Sequence, residues 1–155
     1  MYVRGDGSKA YSSAKLKSYI RQMVFLQPNI IVVMDRVVST RPDFQKTWLL
    51  HSSNEPIINK NKSIEISNDN GRLVCIPILP HKVKISKVGG TGKECLVGDT
   101  SFPFGLRSAF DPTELHYGED AGSWRIEQNP EIGANKDYFL NVMMTSDKNS
   151  KEIPT

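Results

Sequence analysis

The chain has 155 residues, of which 38% are hydrophobic and 24% are charged, and its formal net charge is +3 at pH 7. This length predicts one domain, and the composition is that of a globular protein rather than a disordered or membrane-spanning one. No apolar run approaches the ~20 residues of a spanning helix, and the first residues lack the apolar stretch of a secretory leader. We therefore expect no membrane partner and, because the net charge is mild, no nucleic-acid partner.

Positive charge is concentrated at the start of the chain, where residues 1–21 carry five basic residues against one acidic residue. A solvated basic strand face is the simplest interpretation of this segment. Attraction to an acidic polymer is the alternative.

Cys75 and Cys95 are the two cysteines of the sequence. Their spacing does not match a zinc motif, and no histidine stands in ligand register with them. Two free, buried thiols are the default interpretation. A single disulfide stays open for an exported protein, because Cβ geometry rather than sequence decides that question.

The first part of the chain predicts a β-hairpin. Residues 1–14 are small and polar and read as an extended or loop-like lead-in, after which residues 16–26 have the pattern of a strand. Gln27-Pro28-Asn29 is a turn signal. Residues 30–38 are apolar on both parities, as in a strand that is covered on both faces.

The register of this hairpin predicts an ion pair. A three-residue loop that pairs Leu26 with Ile30 places Arg21 opposite Asp35, and a two-residue loop makes them diagonal neighbours. Asp35 shares its parity with apolar Val33 and Val37, so its carboxylate needs a partner. We predict a structural ion pair between Arg21 and Asp35 and favour it over a catalytic or metal-binding role for the carboxylate.

The rest of the chain predicts further short strands, at residues 45–52, 63–67, 72–79, 82–88, 94–98, 123–128 and 137–147. Asn70-Gly71 marks a hairpin turn, and Pro77 places its strand at an edge or a bulge. About eight or nine strands without long helices predict an all-β fold, an antiparallel β-sandwich of two packed sheets. We expect this sandwich to be a single domain over residues 1–147, followed by a polar tail at 148–155.

Residues 99–122 form a long irregular stretch, and such stretches in compact domains are often functional. Its aromatic and histidine side chains are candidates for substrate binding: Phe102, Phe104, His116 and Tyr117. His51 ends a core strand, where we expect a packed, hydrogen-bonded histidine. No metal-ligand spacing and no complete set of acid, base and charge stabiliser is visible, so no catalytic or metal-binding residue is assigned.

Several motifs follow one another in a fixed order along the chain, among them Lys46-Thr47-Trp48-Leu49-Leu50-His51 and Trp124-Arg125-Ile126-Glu127. The others lie at residues 6–11, 19–37, 88–94 and 137–142, the second of these including Arg21, Pro28 and Asp35. This ordered series resembles the C-terminal β-sandwich portion of the heparinase II/III-like polysaccharide lyases. Cys95 stands where that family usually has a bulky aromatic residue.

The resemblance implies an α/α-toroid joined to a large antiparallel β-sandwich, a secreted or periplasmic location, and cleavage of acidic polysaccharides by β-elimination. The base, the acid and the charge stabiliser of that reaction come partly from the toroid. The family's zinc site is expected upstream of this chain. We therefore transfer no catalytic or metal residue and expect no cofactor in this chain.

The sequence thus predicts a non-catalytic sandwich portion of such a lyase, inactive alone, which supports the substrate cleft of its parent enzyme. Its partners would be the acidic polysaccharide and the upstream toroid and sandwich part of the parent. The alternative is a free-standing carbohydrate-binding module for acidic polysaccharide. A structural domain whose sandwich edge docks on another chain is a third interpretation.

Overall fold

The computed structural model describes residues 1–101 and 122–150. In these ranges the chain forms one 3-10 turn, Ser8–Ala10, and twelve strands: β1 (Tyr2–Asp6), β2 (Leu16–Leu26), β3 (Ile30–Ser39), β4 (Trp48–Ser52), β5 (Ile57–Ile58), β6 (Ile64–Asn68), β7 (Gly71–Leu79), β8 (Val83–Gly89), β9 (Leu96–Val97), β10 (Thr100–Ser101), β11 (Trp124–Pro130) and β12 (Lys136–Asp147). Within that described part, no helix is long and apolar enough to cross a membrane.

The strands form three antiparallel sheets. Seven strands make the largest sheet in the order β1-β2-β3-β12-β7-β6-β5, three make a second in the order β4-β11-β8, and β9 and β10 make a small ribbon. The all-β prediction is therefore confirmed, and the two larger sheets are the two layers of the sandwich.

The core lies between the two larger sheets. Trp48 and Ile126 from the three-stranded sheet pack against buried side chains of the seven-stranded sheet, namely Val33, Ile64, Cys75, Phe139 and Met143. These seven-stranded-sheet residues define its inner face. Because side chains alternate along a strand, the residues between them point to the opposite, outer face.

The β2–β3 hairpin has the register that a three-residue loop requires. Leu26 pairs with Ile30, and Arg21 pairs with Asp35. Asp35 lies on the inner face, next to Phe139 on β12, and only 2% of it is exposed. The alternation of β2 and β3 therefore carries one carboxylate into the apolar layer together with its cross-strand partner.

Pro77 lies at an irregularity of the sheet, as its missing N–H requires. The register between β12 and β7 shifts between Leu140 and Asn141, and Asn141 pairs with Pro77. The strand β6 pairs with β7 only as far as Cys75. The hairpin before it closes with Asn68 opposite Gly71, and Asp69 in its loop has a positive φ of 48°.

Three details refine or correct the sequence predictions. Residues 2–6, which we expected to be extended or loop-like, form a paired edge strand, because backbone pairing with β2 fixes them although all five are exposed. The third strand begins at Trp48 rather than at residue 45. Both cysteines are free, but only Cys75 is buried, and Cys95 is half-buried.

The end of the described chain is hydrogen-bonded to the hairpin loop. The Lys148 N–H donates to the Asn70 carbonyl over 2.7 Å, and the Arg72 guanidinium donates to the Ser150 carbonyl over 2.8 Å. Residues 151–155 of the predicted tail lie outside the described residues.

Candidate functional site

A groove of about 500 Å³ opens between the two sheets on the side of β4. Its walls come from the segment before β2, from β2 and β3, and from the loop that leads into β4. We call it the between-sheet groove and define it by the side chains that give it chemical character: Tyr11, Lys15, Tyr19, Arg21, Asp35, Phe44, Lys46, Trp48 and His51.

Arg21 and Asp35 form the polar centre of the groove. Arg21 Nε donates to Asp35 Oδ1 over 2.8 Å and Nη2 to Oδ2 over 2.6 Å, so the pairing is bidentate. The Asp35 side chain is 3% exposed, whereas that of Arg21 is 42% exposed. The hydrogen bonds that Arg21 donates to Asp35 raise the pKa of the Arg21 guanidinium, which keeps the cation charged while one side of it faces the groove.

Aromatic rings line the wall beside this pair. Tyr11 and Tyr19 meet edge to face, with ring centroids 6.1 Å apart and an interplanar angle of 83°. The Arg21 guanidinium carbon lies 5.9 Å from the Tyr19 ring centroid. Burial, followed by the charge of Asp35, raises the pKa of the Tyr19 phenol, so its hydroxyl stays protonated and available as a hydrogen-bond donor at neutral pH.

Trp48 closes the groove toward the core. The residue is 5% exposed, and its buried Nε1–H has no hydrogen-bond acceptor in the described structure. Buried donors of this kind normally have a partner. Because this Nε1–H is itself buried, the groove does not expose it to a bound group.

Lys46 supplies a second, deeper cation. Its Nζ lies 2.9 Å from Asp137 Oδ2 and also donates to the carbonyls of Ala134 (2.5 Å) and Phe44 (3.3 Å). The Lys46 side chain is 6% exposed. Because its three donors are already used, Lys46 fixes the loop before β4 rather than offering charge to a ligand.

His51 lies at the rim of the groove. We expected a packed, hydrogen-bonded histidine here, and that prediction is wrong. His51 is exposed, and its side chain makes no hydrogen bond within residues 1–101 and 122–150. The reason is the alternation of β4, which turns Trp48 and Leu50 toward the core and leaves Leu49 and His51 on the solvent side.

The four predicted substrate-binding residues, Phe102, Phe104, His116 and Tyr117, lie outside the described residues. Apart from Arg21 and Asp35, which the sequence predicted as a structural ion pair, the groove joins residues that sequence reasoning did not select. The sequence offered one signal for this grouping: Tyr19 and Arg21 share a parity on β2 and therefore lie on the same face of the strand. Tyr11, Phe44 and Lys46 lie in irregular segments, whose positions no periodicity predicts.

No metal centre is evident in the described ranges, where no three His, Cys, Asp or Glu residues are grouped to hold an ion. A second groove of about 650 Å³ lies on the far side of the loop before β4. It has a mixed lining, with Lys84 among acidic side chains that include Asp43, Glu127 and Glu131. The between-sheet groove is therefore the better candidate for binding an acidic ligand.

Comparisons with known proteins give a fold relationship. No family model matches the chain, and no curated protein matches it. Among solved structures it is similar to the heparan sulfate lyase HepC from Pedobacter heparinus, with a TM-score of 0.54 and 14% identity over 91% of this chain. A mutant of the same lyase gives a TM-score of 0.51 and 12% identity over 98% of this chain.

The chain spans 19% and 23% of the length of those two structures. At this identity the comparison shows a shared fold alone. It establishes that the sandwich described above resembles a part of a polysaccharide lyase.

Proposed function

We propose that this chain is a non-catalytic β-sandwich portion of a heparinase II/III-like lyase that acts on acidic polysaccharides by β-elimination. The observation that supports the proposal most directly is the fold shared with part of HepC. The ordered motifs along the sequence point to the same family independently of the coordinates. In this proposal the chain supports the substrate cleft of a parent enzyme.

The between-sheet groove is the surface that would contact the polysaccharide. An acidic sugar presents carboxylate or sulfate groups for a cation and C–H faces for an aromatic ring. Arg21 keeps part of its guanidinium exposed, Lys15 is exposed at the mouth of the groove, and the tyrosines supply ring faces. The combination suits a negatively charged sugar better than a neutral one.

The remaining parts of the proposal concern the parent enzyme. Its catalytic groups and its zinc site would lie upstream of this chain, on the toroid and on an earlier part of the sandwich. Its location would be secreted or periplasmic, where acidic polysaccharides are accessible. The partners of the chain are then the polysaccharide and the toroid that closes the cleft.

The first experiment mixes the purified chain with heparin, heparan sulfate or alginate and follows the ultraviolet absorbance of unsaturated uronate ends. We expect no product, because the chain would lack the groups that abstract and return the proton. Appearance of unsaturated ends would overturn the non-catalytic assignment.

The second experiment measures binding of size-defined acidic oligosaccharides by calorimetry. We expect saturable binding that is weakened by Tyr11→Ala and by Lys15→Gln. Tyr2→Ala is the matched control, since Tyr2 and Tyr11 are both 57% exposed but Tyr2 does not line the groove. If no tested oligosaccharide binds, or if the control weakens binding equally, the groove is not the contact surface.

The aromatic and histidine residues within the sequence stretch 99–122 favour a second candidate function, a free-standing carbohydrate-binding module. This alternative places the contact on Phe102, Phe104, His116 and Tyr117 and on the basic residues of the first 21 positions. Replacing Phe104 by Ala distinguishes the two proposals. The module predicts loss of binding in Phe104→Ala and little effect of Tyr11→Ala, whereas the groove predicts the reverse.

A further inference from the structure

The Arg21 guanidinium uses only part of its hydrogen-bonding capacity on Asp35. Asp35 accepts one hydrogen bond from Nε and one from Nη2, and a guanidinium carries more N–H donors than these two. In the described part of the chain Arg21 makes no other side-chain hydrogen bond, so both N–H groups of Nη1 and the second N–H of Nη2 are unpaired. Nη1 and Nη2 form a planar fork that matches the two oxygens of a second carboxylate.

Gly5 leaves open space beside this fork. It pairs directly with Arg21 across β1 and β2, so a side chain at position 5 would share the inner face with Arg21. An added Cβ at Gly5 would meet no described atom within 4 Å. Gly7, two positions on, is different, because an added Cβ there would lie 2.7 Å from the Tyr19 ring. The space beside Arg21 is therefore open on the β1 side and ends at the Tyr19 ring.

The walls of this space suit the body of a sugar. At one end lies the ring of Tyr19, and at the other Val3 pairs with Met23 on the same face. Val3 and Met23 are 50% and 39% exposed, so they offer an accessible apolar surface next to the cation. We call the set Val3, Gly5, Tyr19, Arg21 and Met23 the Arg21 notch. It lies at the margin of the between-sheet groove, which Tyr19 and Arg21 also line.

The charges around the groove leave one excess positive charge. Asp35 offsets Arg21, with an Nη2–Oδ2 distance of 2.6 Å, and Asp137 offsets Lys46 over 2.9 Å. Among the described lysine, arginine and carboxylate side chains that line the groove, this leaves Lys15 without an opposite charge. A single excess cation favours a sugar unit with one negative charge over a unit with several.

We propose that the Arg21 notch is a carboxylate site, in which Nη1 and Nη2 of Arg21 bind the carboxylate of one uronate unit and the apolar walls contact its ring. This inference rests on the proposed function, because it names the acidic group that the chain would recognise. Asp35 holds the guanidinium on its other edge, so little side-chain freedom is lost when the ligand binds. Arg21 is then a specificity-determining residue as well as half of a structural ion pair.

Calorimetry on the full chain with two oligosaccharides of one backbone separates a carboxylate from a sulfate. One is a heparin oligosaccharide that is fully desulfated and N-acetylated, so that it keeps only its carboxylates. The other has the same length and keeps its sulfates, but its carboxyl groups are reduced. At physiological ionic strength we expect the carboxyl-reduced form to bind at least ~tenfold more weakly, because it cannot make the charged hydrogen bonds to Arg21.

The variants Gly5→Glu and Gly5→Gln test the notch without disturbing the Arg21–Asp35 pair. Cβ atoms of directly opposite residues lie ~5 Å apart, so a glutamate at position 5 can occupy the fork of Arg21. Glutamine has the same size without the charge. We expect Gly5→Glu to raise the dissociation constant of the desulfated oligosaccharide at least ~tenfold relative to Gly5→Gln.

The pair Val3→Glu and Val3→Gln separates occupation of the fork from general repulsion. It adds the same charge on the same face, but opposite Met23 rather than Arg21. The ratio of dissociation constants between glutamate and glutamine should therefore be smaller at position 3 than at position 5. Equal ratios, or no difference between Gly5→Glu and Gly5→Gln, overturn the carboxylate site. Far-ultraviolet circular dichroism verifies that each variant is folded.

The comparison of the two oligosaccharides uses the unmodified chain, so it decides the question even if a variant does not fold. Equal or tighter binding of the carboxyl-reduced form overturns the carboxylate site and leaves the groove as the contact surface. If neither oligosaccharide binds, the carboxylate site and the proposed contact with acidic polysaccharide both fail. The two failures are therefore distinguishable.

Discussion

Arg21 reaches across the β2–β3 hairpin to Asp35 and holds both carboxylate oxygens, with Nε–Oδ1 and Nη2–Oδ2 distances of 2.8 and 2.6 Å. The carboxylate is almost fully buried and the guanidinium is partly exposed. The pair thus joins the interior of the sandwich to the wall of the between-sheet groove. Physical reasoning therefore gives the direction of the stability change that follows the removal of either member.

Replacing Arg21 by Ala should destabilise the fold by about 3–5 kcal/mol, because it leaves the Asp35 carboxylate buried without a partner. Chemical denaturation measures this change. Arg41→Ala is the matched control, since Arg41 and Asp43 form a pair of similar length in which both side chains are more than half exposed. That control should cost less than about 1 kcal/mol, and equal losses for the two variants would contradict the prediction.

Gln128 and Asn141 form a buried amide pair between the two sheets. Gln128 Nε2 donates to Asn141 Oδ1 over 2.9 Å, and both residues are 0% exposed. Gln128→Met should cost about 1–3 kcal/mol, because Asn141 Oδ1 then loses its amide donor and keeps only the weak Cys75 thiol donor at 3.7 Å.

The double variant Gln128→Met, Asn141→Leu should recover much of that loss, since both polar groups are removed together. A double-variant cycle in denaturant measures the coupling. Additive losses would show that the two amides do not stabilise the fold as a pair.

Gly89 should not tolerate a side chain. Its φ is +150°, and an added Cβ would lie 2.3 Å from the Ser123 carbonyl oxygen and 2.6 Å from Trp124 Cα. Gly92 also has a positive φ, +78°, but an added Cβ there meets nothing within 4 Å.

Gly92→Ala should therefore cost only the backbone strain of about 1–2 kcal/mol. Gly89→Ala should cost about 1–3 kcal/mol more, because the β8–β11 pairing has to move. Thermal denaturation of the two variants gives the difference. A Gly89→Ala variant as stable as Gly92→Ala would mean that the strand end is not held in this geometry.

Cys75 should make stability fall at high pH. Burial raises the pKa of its thiol from 9.0 to about 12, so between those values the folded chain retains a proton that the unfolded chain has released. The free energy of unfolding should be unaffected by this group below pH 9 and should decrease as the pH rises toward 12.

Comparison with Cys75→Ala isolates this contribution, since the tyrosines and lysines titrate in both proteins. The difference in unfolding free energy between the two should shrink as the pH increases above 9. Thiol reagents react with the thiolate form of cysteine. In the native protein such a reagent should therefore modify the half-buried Cys95 before the buried Cys75, whose raised pKa keeps its thiol protonated. Rapid labelling of Cys75 without denaturant would contradict its burial.

The local rules of strand pairing predict much of the fold from sequence. The three-residue turn at 27–29 sets the β2–β3 register, and that register alone brings Arg21 opposite Asp35. Pro77 marks the irregularity of β7 because proline has no N–H to donate to a ladder. These features depend on residues close in sequence or on one hairpin.

The parts that sequence did not predict depend on long-range packing. The strand β1 has no apolar alternation and is fixed only by its pairing with β2. The Lys46–Asp137 pair joins segments that are far apart in the chain, so no short-range sequence spacing predicts it. His51 was expected inside because it follows core residues, and only the position of β4 at the edge of its sheet shows which parity faces solvent.

The sequence by itself determined that the chain is built of β-strands, where the first hairpin turns, and which cation faces the lone inward carboxylate of β3. The period-two alternation and the chemistry of turn residues are local, and they act before any sheet is assembled. Only the tertiary structure decided how the strands are shared between layers of seven and three. That division creates the between-sheet groove, because the groove depends on which distant strands meet.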